Sequence, residues 1–108
     1  DGVAIRVPVV VVSLVDITFI AKRATTVEEI NSILEKAAKE KRWEGIFMAT
    51  YEPLVSSDIV GDLHASIADL SFTKVVDGTL VKVFAWYDNE MGYTNTLLMH
   101  VLETGKYV

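Results

Sequence analysis

Apolar residues recur along the chain at two spacings, which predict strands in some segments and helices in others. From residue 3 to residue 20 the sequence is largely β-branched, which favours strands, although Pro8 cannot donate to a strand ladder. We therefore predict one strand at residues 3–7 and a second from about residue 10 to residue 21. Both faces of the second strand are largely apolar, so it requires cover on two sides.

Helical spacing follows this strand and returns at the end of the chain. Thr26 and Glu29 fit a capping box, and the apolar positions after them predict a helix from about residue 27 to residue 39 or 41. A last helix is predicted at about residues 91–104, with Asp88 and Asn89 as caps and Gly105 at its end. Its apolar stripe is expected to be buried and consists of Leu97, Leu98, Val101 and Leu102.

The middle of the chain contains shorter elements. Residues 46–49 predict a short buried strand, and the loop at residues 52–66 predicts a short strand or turn at residues 55–59. Asp77 and Gly78 lie between two β-rich runs, at residues 72–76 and 80–87, which is a hairpin signal.

These elements together predict a single α+β domain over residues 1–108. We expect a two-layer sandwich, in which a mostly antiparallel sheet of four or five strands is covered on one face by two helices.

Charge and composition exclude several classes of function. The net charge is −5 with acidic and basic residues interspersed, so no basic stripe is present for nucleic acid or an anionic membrane. The absence of cysteine excludes disulfides and thiolate metal sites, and His64 and His100 lack ligand spacing, so no metal is expected. The start shows no signal-peptide pattern and no apolar run is long enough to span a bilayer, which favours a cytoplasmic protein.

Four segments carry a resemblance to a known family. They are WYDNEMGYTN at residues 86–95, IRVP and VSLVD within residues 5–16, TTVEEINSILEKAAKE at residues 25–40, and EPLVSSDIVGD at residues 52–62. In this order and spacing they resemble the C-terminal part of the catalytic domain of phosphorylating glyceraldehyde-3-phosphate dehydrogenase. The resemblance covers nearly the whole chain and implies the fold of that domain.

The resemblance also implies roles for three residues. Arg6 matches an arginine that helps to bind phosphate, Asn89 matches the asparagine that hydrogen-bonds the nicotinamide carboxamide of NAD, and Tyr93 matches an aromatic residue near that ring. The family's dinucleotide-binding domain, catalytic cysteine and histidine partner have no counterpart here. We therefore expect no catalysis and no bound cofactor, with Asn89 as a cap, Tyr93 as a packing residue and Arg6 as a solvated residue.

The chain departs from the family pattern at several apolar positions. Four valines at residues 9–12 replace a polar turn, and Trp43, Phe47, Met48 and Met99 stand where the family is often polar. One hypothesis is a redesigned, recombinant subdomain that folds alone and forms a homodimer, with interface candidates Val10, Val12, Trp43, Met48 and Met99. Trp43 fits equally well as a lid on the core. The alternative is an enzyme fragment that needs the missing cofactor domain and catalytic cysteine.

Overall fold

The structure, a computed structural model, describes residues 1–108 and contains four strands and three helices. In chain order these are β1 (Ser13–Ile20), α1 (Val27–Ala38), β2 (Phe47–Thr50), α2 (Ser56–Ile59), β3 (Ser66–Val76), β4 (Leu80–Tyr87) and α3 (Met91–Thr104). Single 3₁₀ turns follow α1 at Lys41–Trp43 and α3 at Gly105–Tyr107. None of the helices has both the length and the apolar character that a membrane span requires.

The strands form one sheet in the order β1-β4-β3-β2. β4 pairs antiparallel with both β1 and β3, whereas β2 pairs parallel with β3. The register of β1 against β4 is continuous and runs from Ser13 opposite Tyr87 to Ile20 opposite Leu80. The predicted α+β class with a mostly antiparallel sheet is confirmed, and β1 is one of its two edge strands.

The predicted hairpin joins β3 to β4. Asp77 and Gly78 have φ angles of 48° and 70°, in the left-handed region that an Asp-Gly pair adopts readily. The hairpin tip also forms a hydrogen bond with the segment after β1, in which the Ala21 N–H donates to the Thr79 carbonyl at 2.8 Å. The Gly78 carbonyl likewise accepts from the Thr25 N–H at 2.8 Å, so the turn fixes the entry to α1.

α1 begins as predicted, although only half of the capping box forms. The Glu29 N–H donates to Thr26 Oγ1 at 3.2 Å, whereas the Glu29 carboxylate accepts from the Arg23 guanidinium and from Thr25 Oγ1 instead of the Thr26 N–H. The Arg23 and Thr25 donors lower the pKa of Glu29 to about 2. α1 packs against β2 and β3, where Asn31 Nδ2 donates to the Leu70 carbonyl at 3.0 Å.

The core is small for a chain in which half of the residues are apolar. Only 12 of the 108 residues are buried, and the main apolar cluster consists of Val12, Ile59 and Ile67. Four half-buried residues complete this cluster: Val11, Met48, Leu54 and Trp86. Much of the apolar surface of the chain therefore has no cover within the chain itself.

The first predicted strand does not form, and the second is shorter than predicted. Residues 3–7 are irregular and exposed, and β1 begins at Ser13 rather than near residue 10. Val12 has a φ of +84°, so the extended backbone is interrupted directly before β1. Residues 56–59 form the short helix α2, started by the Val55 N–H donating to Asp58 Oδ2 at 2.8 Å, where a strand or turn was expected.

The last helix, α3, has the predicted bounds, but its apolar stripe is not covered as predicted. Its apolar stripe was expected to be buried, but Leu97, Leu98, Val101 and Leu102 are each about half exposed or more. The sheet is covered by α1 over β2 and β3, and α3 does not add the expected second helix to that layer. α3 is anchored at its first turns, at the corner described next.

Candidate functional site

The corner between β4 and α3 is built on Asp88. This residue is buried, and its Oδ1 accepts from the N–H groups of Glu90 and Met91 at 2.8 and 2.9 Å. Its Oδ2 accepts from the Gly61 N–H at 2.8 Å, which joins the corner to the loop after α2. These backbone donors, with Gly61 the strongest, lower the pKa of Asp88 below its ordinary value of 3.8 despite its burial. Asp88 therefore satisfies the first N–H groups of α3, as predicted for a cap.

The first turns of α3 lie directly on the loop at residues 61–65. Asn95 Nδ2 donates to the Leu63 carbonyl at 3.0 Å. A Cβ atom at Gly92 would lie 2.5 Å from the His64 carbonyl oxygen, so only glycine permits this approach. Together with the bond from Gly61 to Asp88, these contacts fix the direction in which α3 leaves the sheet.

Replacing Gly92 by alanine is expected to destabilise the protein by about 1–3 kcal/mol, because the added methyl group must displace backbone rather than a flexible side chain. The free energy of unfolding from urea titrations measures this. The matched control is Gly105→Ala, where a Cβ meets nothing within 4 Å and φ is −60°. A loss of stability at Gly105 equal to that at Gly92 would contradict the role of the close approach.

Contrary to the expectation from the sequence, Asn89 does not cap α3. Its Oδ1 accepts from the Val12 N–H at 3.0 Å, which ties the segment before β1 to the corner. Asp88 supplies the cap bonds instead, because its carboxylate lies directly before the Glu90 and Met91 N–H groups, whereas the Asn89 oxygen is already used by Val12. The Asn89 Nδ2 group makes no hydrogen bond within the chain, and the residue is exposed. This leaves two N–H donors at the corner open to an acceptor.

The other two residues that the resemblance singled out are exposed. Tyr93 lies on α3 with 66% of its surface exposed, so the expectation that it is a packing residue is wrong. Arg6 lies in the irregular segment before β1 and makes no ion pair or side-chain hydrogen bond, in agreement with a solvated arginine. No hydrogen bond joins Arg6 to Asn89 or Tyr93.

The five interface candidates fall into two groups. Val12 is buried in the core cluster and Met48 packs against it, so neither forms an exposed patch, and Val12 in particular is excluded as an interface residue. Val10 is fully exposed, and Trp43 is 36% exposed with the Arg42 guanidinium 5.1 Å from its ring centroid. Met99 is half-buried, and its Sδ accepts from Asn95 Nδ2 at 3.7 Å.

Sequence reasoning missed a buried carboxylate at Asp69. Its Oδ2 accepts from Trp86 Nε1 at 3.1 Å, and its Oδ1 accepts from Ser71 Oγ at 2.6 Å. Asp69 is 1% exposed within an otherwise apolar stretch of β3. A lone acidic residue between Ala68 and Leu70 was the available signal for such a network.

An open cleft of about 630 Å³ lies between the end of α1 and β2, with His64 at its wall. His64 Nδ1 is 2.8 Å from Asp62 Oδ1, so the carboxylate orients the ring. No serine or cysteine lines the cleft, and no group of three His, Asp or Glu side chains is placed to hold a metal ion. The His64–Asp62 pair therefore lies at a cleft that offers no serine or cysteine nucleophile.

Comparison with known proteins agrees with the fold. Residues 1–89 match the family model "Glyceraldehyde 3-phosphate dehydrogenase, C-terminal domain". The match covers most of the chain, and this chain belongs to that family. The resemblance inferred from the four sequence segments is thereby confirmed.

Curated relatives place the match within longer proteins. The chain is 50% identical over 98 residues to glyceraldehyde-3-phosphate dehydrogenase of Zymomonas mobilis, covering 91% of this chain and 29% of the relative. It is 54% identical over 98 residues to the chromosomal enzyme of Cupriavidus necator, with the same coverage. With the enzyme of Mycobacterium avium the identity is 48% over 106 residues, covering 98% of this chain and 31% of the relative. The chain thus spans about three-tenths of the length of these relatives.

Proposed function

We propose that this chain is the C-terminal part of the catalytic domain of an NAD-dependent glyceraldehyde-3-phosphate dehydrogenase and is catalytically incomplete by itself. It contains no cysteine, so it offers no thiolate for a covalent route to the aldehyde carbon. It also has no glycine-rich turn of the kind that binds a dinucleotide pyrophosphate. Catalysis requires a remainder of the relatives' length that supplies both, and a cytoplasmic location is part of the same proposal.

The observation that carries this proposal is the orientation of Asn89. The hydrogen bond from the Val12 N–H holds Oδ1 toward the protein and leaves the two Nδ2 donors without a partner. Such a donor suits the carboxamide oxygen of nicotinamide, which is the role that the family resemblance implies for Asn89. Of the whole cofactor, this chain would contact only the nicotinamide end.

The apolar surface supports the same proposal. Exposed apolar side chains occupy both β1 and the stripe of α3. A globular chain seldom leaves contiguous apolar surface open without a partner for it. In the proposed enzyme, the remainder of the chain covers part of this surface.

A complementation experiment tests the proposal. The portion of the Zymomonas mobilis enzyme that precedes the matched segment is co-expressed with this chain, and NADH formation from glyceraldehyde 3-phosphate, NAD and phosphate is measured. We expect activity from the pair, none from either part alone, and a large loss in the pair with Asn89→Ala. A co-purifying but inactive pair, or activity from this chain alone, would overturn the proposal.

The free edge of β1 favours a second function for the chain in isolation, as a self-associating scaffold that forms a homodimer through its sheet. Molar mass from light scattering over a wide range of concentration tests this, and a monomer at all concentrations contradicts it. The hypothesis of redesign rests on the valines at residues 9–12 and on Trp43, Phe47, Met48 and Met99, and it stays a prediction.

A further inference from the structure

Two buried polar atoms of the chain have no hydrogen-bond partner within it, namely Asn31 Oδ1 and Thr73 Oγ1. Both residues are more than nine-tenths buried, with exposed fractions of 5% and 4%. A buried polar atom without a partner is costly, so such atoms are rare in folded proteins and each requires an explanation. Neither residue belongs to the corner between β4 and α3, and neither lines the cleft beside His64.

The hydrogen bond that Asn31 does make fixes the orientation of its amide. Asn31 Nδ2 donates to the Leu70 carbonyl on β3 at 3.0 Å. Exchanging the two ends of the amide would place Oδ1 against that carbonyl, so that two acceptors would face each other. Asn31 Oδ1 is therefore a buried acceptor that still needs a donor.

Thr73 lies on the buried face of β3. The next residue, Lys74, is exposed and opposes Lys82, whereas Val75 opposes Val81, which has no exposed surface. Successive side chains of a strand point to opposite faces, so Thr73 shares a face with Val75 and Val81. Because α1 is packed against β3, this buried face is the one that α1 covers.

β3 bulges where it meets Asn31. Residues 70–73 of β3 lie opposite a single residue of β4, Val83. One residue cannot pair the backbone groups of four, so the strand ladder is interrupted here. The Leu70 carbonyl and Thr73 both belong to this interrupted stretch. The bulge thus brings several polar groups into the interface between α1 and β3.

The partner that these two atoms need is a molecule enclosed within the chain. Each atom has less than 1 Å² of accessible surface, so a side chain from the remainder of a longer protein could reach neither without displacing α1 or β3. Water is small enough to be enclosed, and it both donates and accepts hydrogen bonds. Folded proteins hold on the order of one buried water per 27 residues, or about four in a chain of this length.

We propose that one internal water molecule bridges Asn31 Oδ1 and Thr73 Oγ1 and joins α1 to the bulge of β3. The water donates one hydrogen to Asn31 Oδ1 and accepts the hydrogen of the Thr73 hydroxyl. Its second hydrogen is donated to a backbone carbonyl of residues 70–73, which gives the three bonds that are typical of a buried water. The proposal is independent of the proposed enzyme function, because neither side chain contacts Asn89.

Replacing Thr73 by valine tests the bridge, because valine has nearly the same shape and no hydroxyl. If the hydroxyl binds water, the equilibrium constant for unfolding should rise about five- to tenfold, since a hydrogen bond is lost. If the hydroxyl has no partner, the variant removes a buried unpaired group, and the constant should stay the same or fall. An unchanged or lower constant in urea titrations would therefore overturn the proposal.

The matched control for this variant is Thr18→Val. Thr18 lies on β1 and is exposed, so its hydroxyl can be hydrated by the solvent. The same chemical change there should alter the unfolding constant by no more than about twofold. This control separates the loss of the buried hydroxyl from the general preference of strands for valine.

A double-mutant cycle tests whether the two atoms share one water. Asn31→Ala removes Oδ1 together with the bond to the Leu70 carbonyl, so its own effect should exceed that of Thr73→Val. If either change releases the same water, the second has less left to disrupt, and the two effects are not independent. The fold-change of the double variant should then be smaller than the product of the single ones. A value equal to the product would contradict the shared water.

A crystal structure of the unmodified chain, at a resolution that shows ordered water, gives the direct measurement. We expect one water oxygen within about 3 Å of both Asn31 Oδ1 and Thr73 Oγ1, and none at this position in Thr73→Val. A direct bond between the two side chains, a separate water on each, or no water would overturn the proposal. None of these outcomes bears on the complementation experiment.

Discussion

Replacing Asp88 by alanine is expected to lower the free energy of unfolding by about 3 kcal/mol, since bonds to a charged acceptor are each worth about 1.5–3 kcal/mol and part is regained through water. The Gly61, Glu90 and Met91 N–H groups all lose their acceptor in this variant. Urea unfolding followed by tryptophan fluorescence measures the change, with Trp86 two residues away as a reporter. The matched control is Glu90→Gln in the same turn, whose side chain makes no hydrogen bond and whose change should be within about 0.5 kcal/mol.

The Asp88 carboxylate also makes the free energy of unfolding depend on pH. The backbone donors lower the pKa of Asp88 in the folded state below its ordinary value of 3.8. The unfolded chain therefore takes up the proton first as the pH falls, so the stabilisation is fully present above about pH 5 and is lost below that value. The Asp88→Ala variant should lose less stability between pH 5 and pH 3 than the unmodified chain. Equal losses would show that Asp88 does not contribute to acid sensitivity.

Replacing Ile67 by alanine is expected to destabilise the protein by about 2–5 kcal/mol, the range for truncating a fully buried isoleucine. Ile67 has no exposed surface and lies in the cluster with Val12 and Ile59. Because this core is small, the loss is a large part of a stability that is typically about 5–15 kcal/mol, and thermal unfolding should shift strongly. The control is Ile5→Ala, since Ile5 is 80% exposed. Equal losses in the two variants would contradict the placement of the core.

The elements that depend on residues close together in the sequence were predictable from the sequence. The hairpin depends on Asp77 and Gly78, whose preference for positive φ is local, and the two long helices depend on caps and apolar spacing. Residues 3–7 have the composition of a strand, yet a strand requires a partner in the sheet and none is provided by this chain. The exposed stripe of α3 shows the same limit, because apolar spacing predicts a helix and not what covers it.

The candidate site and the cap role of Asp88 were predicted from the sequence, while the roles of Asn89 and Tyr93 were not. Asp88 and Asn89 are both common cap residues, and the choice between them depends on Val12, which lies 77 residues away from Asn89. Valine rarely adopts the left-handed φ that Val12 shows, so its burial in the core and its bond to the corner had no local signal. Long-range contacts of this kind can be seen only in the folded chain.

The position of β1 in the sheet has a consequence for the order of folding. The β3–β4 hairpin closes through three residues and should form within about 1–10 µs, whereas β1 must wait for a strand that begins at residue 80. During synthesis, β1 therefore emerges before β4 and cannot pair with it until β4 has been made. An apolar strand that waits in this way is open to aggregation, so the yield of folded protein should depend on how quickly β4 follows.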